Sequence, residues 1–156
     1  MKPTVVIRYC LLLVVVVLVM SSCKKSGSTP ANLIGTWNEP ANPAGYSRSV
    51  SFAADGNFTA MFISSPRPNG AGGVYAGNIT IYKGTFSVKR DSLITHISTM
   101  SAQEDAGTAV VTPSTQKLFE YATYKVNNNQ LTINYTTYPA DAPMPTQVNY
   151  TRAVSN

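Results

Sequence analysis

"YKVNNNQLTINY", residues 124–135, decides how this chain is built. Three asparagines interrupt two runs in which apolar and polar side chains take turns. Tyr124 and Val126 flank Lys125; Leu131, Ile133 and Tyr135 alternate with Thr132 and Asn134. A period of two belongs to a strand with one buried face, and an asparagine-rich step between two such runs is hairpin chemistry. The unit recurs around "ADGN" at 54–57 and "VKRDS" at 88–92. No segment keeps a convincing 3.6-residue period, and "QEDAGTA" at 103–109 is the one place where a helical turn is expected. Short strands with regular turns predict an all-β, antiparallel domain, either barrel or sandwich.

Alternation also assigns the faces. Leu33, Gly35 and Trp37 share one side, as do Val50 with Phe52, and Phe58 with Ala60 and Phe62. Phe86 with Val88, Leu93 with Ile97, and Val148 with Tyr150 and Arg152 complete the predicted interior. Ser49, Ser51, Thr59, Thr132, Asn134 and Thr136 fall on the opposite faces and suit water.

The first 22 residues read differently. Lys2 and Arg8 precede an apolar run from Tyr9 to Met20, followed by Ser21, Ser22 and Cys23. Charge, apolar stretch and small residues in that order mark an export signal. As a helix the run reaches about 18 Å, short of the roughly 30 Å of bilayer hydrocarbon. The Ser-Ser-Cys step resembles the lipobox of bacterial lipoproteins, with Met20 where leucine is commonest. That resemblance implies cleavage before Cys23, a diacylglycerol on its thiol and acylation of the new amine. Several acyl chains hold firmly where one holds marginally. The only other cysteine, Cys10, lies inside the leader, so no disulfide pair would remain. Lys24 and Lys25 stand where an inner-membrane retention aspartate would be, which by resemblance favours the outer membrane of a Gram-negative cell, on its periplasmic face. Residues 23–31 then form a lipidated tether and 32–154 one domain. Losing Lys2 and Arg8 lowers the formal charge of +5 by two. The remaining charge is too mild and scattered for a nucleic-acid partner.

"LIGTW" at 33–37 resembles the Gly-x-Trp opening of lipocalin and calycin barrels, in particular the small lipocalin-like lipoproteins of Gram-negative bacteria. "FAADGNFTA", "GTFSVKRDSLI", "YKVNNNQLTINY" and a closing "YTRA" follow in the same rhythm. The resemblance implies an up-and-down eight-stranded barrel. It also implies that a basic residue on the last strand packs across the tryptophan of the first, here Arg152 over Trp37.

Such a barrel either fills its interior or holds one small ligand. Simple alternation through "LFEYATYKV" (118–126) places Glu120 on the face of Leu118, Ala122, Tyr124 and Val126. An inward carboxylate is costly unless paired or solvated, so Glu120 is a candidate ligand anchor, together with Arg48, Phe62, Tyr124, Tyr135 and Tyr150. A bulge or strand end at Glu120 is the alternative, and the reversed register would bury Phe119 and Tyr121. All the tyrosines but Tyr9 follow the leader, and each offers a flat face with a polar tip. The expected function is binding of a small apolar or aromatic ligand at the envelope membrane. The competing reading is a filled β-domain that meets an envelope protein partner through long loops at 64–73, 100–114 and 138–145.

Little in the chain points to catalysis, a cofactor or a metal. His96 is the only histidine and sits between Ile94 and Ser98 on an expected outer face. Glu104 and Asp105 are neighbours in a polar loop. No Gly-x-Ser-x-Gly elbow occurs, and "GAGG" at 70–73 precedes a strand rather than a helix. Asn57, Asn78, Asn134 and Asn149 match a glycosylation sequon that bacterial residence leaves unused. "DSL" at 91–93 resembles a bacterial O-glycosylation site.

Overall fold

A computed structural model describes residues 30–40, 42–68, 70–104 and 107–154. The leader, Cys23, most of the tether and Asp105 lie outside the described residues. Among the described residues, eleven strands and a single 3-10 turn make up the regular structure: β1 (Gly35–Asn38), β2 (Tyr46–Phe52), β3 (Asn57–Ser64), β4 (Arg67–Pro68), β5 (Val74–Tyr75), β6 (Asn78–Lys89), β7 (Ser92–Glu104), β8 (Val110–Pro113), β9 (Glu120–Asn127), β10 (Gln130–Thr137), the turn at Pro139–Asp141, and β11 (Met144–Arg152). Eight of these close on themselves in the order β6-β3-β2-β1-β11-β10-β9-β7, with β6 pairing back to β7. Every ladder is antiparallel and neighbours in space are neighbours in sequence, so this is an up-and-down barrel and not a sandwich.

The turns form where their chemistry predicted. Asn128, with φ 51°, carries the β9–β10 hairpin, and Arg90, with φ 60°, the β6–β7 hairpin. In the β2–β3 turn the Asp55 carboxylate accepts the backbone N–H of Asn57 at 3.0 Å, an Asx arrangement that substitutes for a backbone turn. Asparagine tolerates the left-handed region better than most residues, which is why a run of it can end one strand and start another.

Two loop expectations are corrected. Met100–Glu104 extends β7 and pairs with β6, and Val110–Pro113 forms β8 beside it, so most of 100–114 is sheet. Gln103 and Glu104 are therefore strand, and the helical turn expected at 103–109 is not formed by the described residues there. The 3-10 turn falls instead at Pro139–Asp141, where proline at the first position suits it. Within 64–73, Arg67 and Pro68 pair with Tyr75 and Val74 as a small side ladder.

The tight turns at 53–56, 90–91 and 128–129 gather at one end, and this end is sealed. Trp37 is fully buried and its indole N–H donates to the Leu33 carbonyl at 2.9 Å. The Arg152 guanidinium lies 4.1 Å from the centre of the Trp37 ring. It also donates to the carbonyls of Ile34, at 2.7 Å, and Asn32. Gly35, at φ 131°, makes this possible, because a Cβ there would sit 2.7 Å from Arg152 Nη1. Cation–π stacking contributes about 0.5–2 kcal/mol and each charged hydrogen bond about 1.5–3 kcal/mol when lost. Because these contributions share one half-buried guanidinium and do not add in full, Arg152→Ala is expected to cost about 2–3 kcal/mol in urea unfolding, with the denaturant slope unchanged. An Arg152→Ala protein as stable as the parent would refute the seal.

Above the seal the lower barrel is packed solid. Phe52 meets Phe58 at 5.3 Å and Phe86 edge-on at 5.0 Å. Val50, Leu131, Ile133 and Tyr150 are all at most 1% exposed. Most of the predicted interior is thus buried, with Phe62, Val88, Tyr124, Val126 and Tyr135 partly so, and the remaining space lies toward the other end, where the longer connections cluster.

Candidate functional site

At that end charged side chains join the aromatic ones on the inward face of the sheet. Arg48 on β2 pairs with Phe62 on β3, and its guanidinium carbon lies 5.7 Å from the Phe62 ring centre. Its Nε is 3.5 Å from the Glu39 carboxylate, a loose ion pair with the arginine side chain 42% exposed. Phe62 in turn meets Tyr82 edge-on at 5.6 Å. Across the barrel, Phe119 meets Tyr135 edge-on at 5.2 Å and Phe58 at 6.3 Å.

These walls enclose a mouth cavity of about 370 Å³. Arg48, Phe62, Glu120, Tyr135 and Tyr150 all line it, so five of the six expected ligand contacts converge. Tyr124 does not join them. Its backbone N–H donates to the Asp91 carbonyl in the β6–β7 turn, which places it toward the sealed end. Tyr124 is a core-packing residue, partly buried against the hydrophobic cluster.

Glu120 reaches the cavity by a different route from the one alternation implied. Between β9 and β10 the register slips: Glu120 pairs with Thr136 and Thr123 with Asn134, so Tyr121 and Ala122 together face Tyr135. This is a β-bulge, and it breaks the alternation that would have joined Glu120 to Ala122. Phe119 and Tyr121 both take left-handed backbone, at φ 55° and 51°. The outcome divides the reversed register: Phe119 is buried and Tyr121 is 78% exposed. The Glu120 carboxylate is not unpaired but accepts a hydrogen bond from Lys117 at 2.9 Å. That contact raises the Lys117 pKa above the ordinary lysine value and keeps the ammonium charged.

Tyr150 forms the cavity floor. Burial first, and the nearby Glu39 carboxylate second, push its phenol well above the usual tyrosine range, with Arg48 partly opposing. It stays protonated at physiological pH. Lys117, Thr137 and Tyr138 are lining residues that sequence reasoning missed, as was Glu39, the partner of Arg48; Phe119 was offered only by the reversed register. The three-residue spacing of Lys117 and Glu120 was a usable signal; Glu39 pairs across strands and left none.

Among the described residues no three His, Cys, Asp or Glu side chains gather as a metal site, and His96 is exposed. The walls can enclose a flat apolar body and set the Arg48 cation at its polar end. Compared with protein-family models, curated proteins and solved structures, the chain matches none.

Proposed function

We propose that this chain is a lipocalin-like lipoprotein of the cell envelope that holds a small apolar or aromatic molecule in its barrel mouth. The observation that carries the reading is the convergence of Arg48, Phe62, Glu120, Tyr135 and Tyr150 on one cavity of about 370 Å³. That volume falls at the small end of ordinary ligand sites, and its mix of aromatic faces with a few polar groups is typical of them. Because Lys117 already engages Glu120, Arg48 is the group best placed to meet an anionic end of the ligand. Its contact with Glu39 is loose and partly open to water, so little is lost on redirecting it.

Anilinonaphthalene sulfonate has such a shape: a flat apolar body with one anionic end. The protein is expected to bind it saturably, with Arg48→Ala and Phe62→Ala each weakening affinity about tenfold, the equivalent of about 1.4 kcal/mol. Unchanged affinity in both variants would overturn the mouth as the site and favour the filled-barrel, protein-partner reading.

Anchoring rests on Cys23. Cys23→Ala is expected to abolish acyl labelling and to leave the leader uncut, so that the shorter, acylated species is no longer made. Normal labelling and cleavage in that variant would defeat the lipoprotein assignment.

A further inference from the structure

The barrel wall is interrupted between β7 and β9. Their ladder consists only of Ser92 with Thr123 and Leu93 with Ala122, whereas the β7–β8 ladder starts at Thr99. Residues 94–98 of β7 therefore have no ladder partner on that side, a stretch of about 16 Å at about 3.3 Å per residue, with only the Ser98 carbonyl accepting a backbone N–H there, from Ser114. This stretch opens into a lateral cavity of about 520 Å³, larger than the mouth. Leu93, Ile94 and His96 form one wall and Leu118, Phe119 and Ala122 the other.

Three observations bear on what fits there. First, the lysine and the carboxylate in its lining, Lys117 and Glu120, are hydrogen-bonded to each other, so their charges offset. Second, most of the remaining surface is aliphatic or aromatic. Third, the far wall holds the two left-handed aromatic residues, Phe119 and Tyr121. Such backbone persists only where surroundings enforce it, and it concentrates at ligand clamps. Here the wall is pinned by Thr95, whose hydroxyl donates to the Leu118 carbonyl at 2.5 Å, and by Phe119 wedged against Phe58 and Tyr135.

We infer that this gap is a second binding site, entered through the side of the barrel, for an uncharged and mainly apolar small molecule. It is separate from the mouth, from which the segment Lys117–Glu120 divides it, and it does not require the mouth to be occupied.

The test uses N-phenylnaphthylamine, an uncharged apolar fluorophore, with the full chain. Saturable binding is expected. Ile94→Asp, which puts a charge at the entrance, and Ile94→Trp, which blocks it, should each weaken binding about tenfold or more, while Phe62→Ala and Arg48→Ala stay within about twofold. Ile94 is 43% exposed, so both substitutions leave the core intact, and circular dichroism checks the fold. Anilinonaphthalene sulfonate binding should survive in the Ile94 variants, which separates failure of this site from failure of the mouth. The inference is overturned by absence of saturable binding, by parent-like affinity in both Ile94 variants, or by loss that follows Phe62→Ala instead.

Discussion

Gly84→Ala is expected to destabilise the barrel by about 3 kcal/mol or more and to lower its melting temperature by about 10 °C or more. A Cβ at position 84 would lie 1.9 Å from the His96 carbonyl oxygen and 2.8 Å from Ile97 Cα. Both are backbone atoms, so no rotamer change relieves the overlap and the strands themselves must part. The closeness has a local cause. Gly84 pairs with Ile97 and Lys83 with Thr99, leaving Ser98 as an extra residue on β7. The bulge draws the two backbones together, and only glycine fits such an approach. Gly70→Ala is the control: φ there is 76°, but the added methyl meets nothing within 4 Å. It isolates the backbone cost of losing a glycine, about 1–2 kcal/mol. If Gly84→Ala is no worse than Gly70→Ala in thermal and urea melts, the close approach of β6 and β7 is wrong.

Trp37→Ala should be comparably severe, at about 3–5 kcal/mol. The ring is fully buried, so its removal forfeits a large apolar contact and leaves a cavity at the sealed end. It also strips the stacking partner from Arg152, while the Leu33 carbonyl loses the indole donor. Trp37→Phe keeps a ring under Arg152 but no N–H, and is expected to recover about half of the loss. Combining Trp37→Ala with Arg152→Ala should cost less than the two single losses together, because the second change removes a guanidinium already robbed of its platform. Strict additivity in that cycle would mean the two side chains do not act as one plug.

The barrel was legible where local chemistry and alternation agree. Asn127–Asn129 separate two clean alternating runs, and the pairing of Leu131 with Val126 and Ile133 with Tyr124 follows directly. Trp37 and Arg152 met as the facing pattern and the lipocalin resemblance implied. The candidate site was legible in part. Arg48, Phe62, Tyr135 and Tyr150 lie on regular strands, where a period of two carries each side chain inward. "LFEYA" at 118–122 resisted because both registers bury an aromatic or aliphatic set, and no turn residue marks the bulge. Its outcome is decided by distant partners, since Phe119 is held by Phe58 and Tyr135, which no local pattern reveals. The stretch 100–114 was misjudged for a related reason. Its alanine, glycine and proline look loop-like, yet Met100–Glu104 is held by long-range pairing to Asn78–Tyr82. Gly84, a lone glycine inside a strand run, hinted at a bulge that the rest of the sequence did not locate.

Native mass spectrometry of the full chain, purified in mild detergent from cells that naturally make it, tests the binding role most directly. With the lateral gap blocked by Ile94→Trp, the account predicts a population carrying one non-covalently held small molecule, released on collisional activation and strongly depleted when Phe62→Ala or Arg48→Ala is added. A bare chain under every gentle condition, or a bound mass that both substitutions leave untouched, would contradict it.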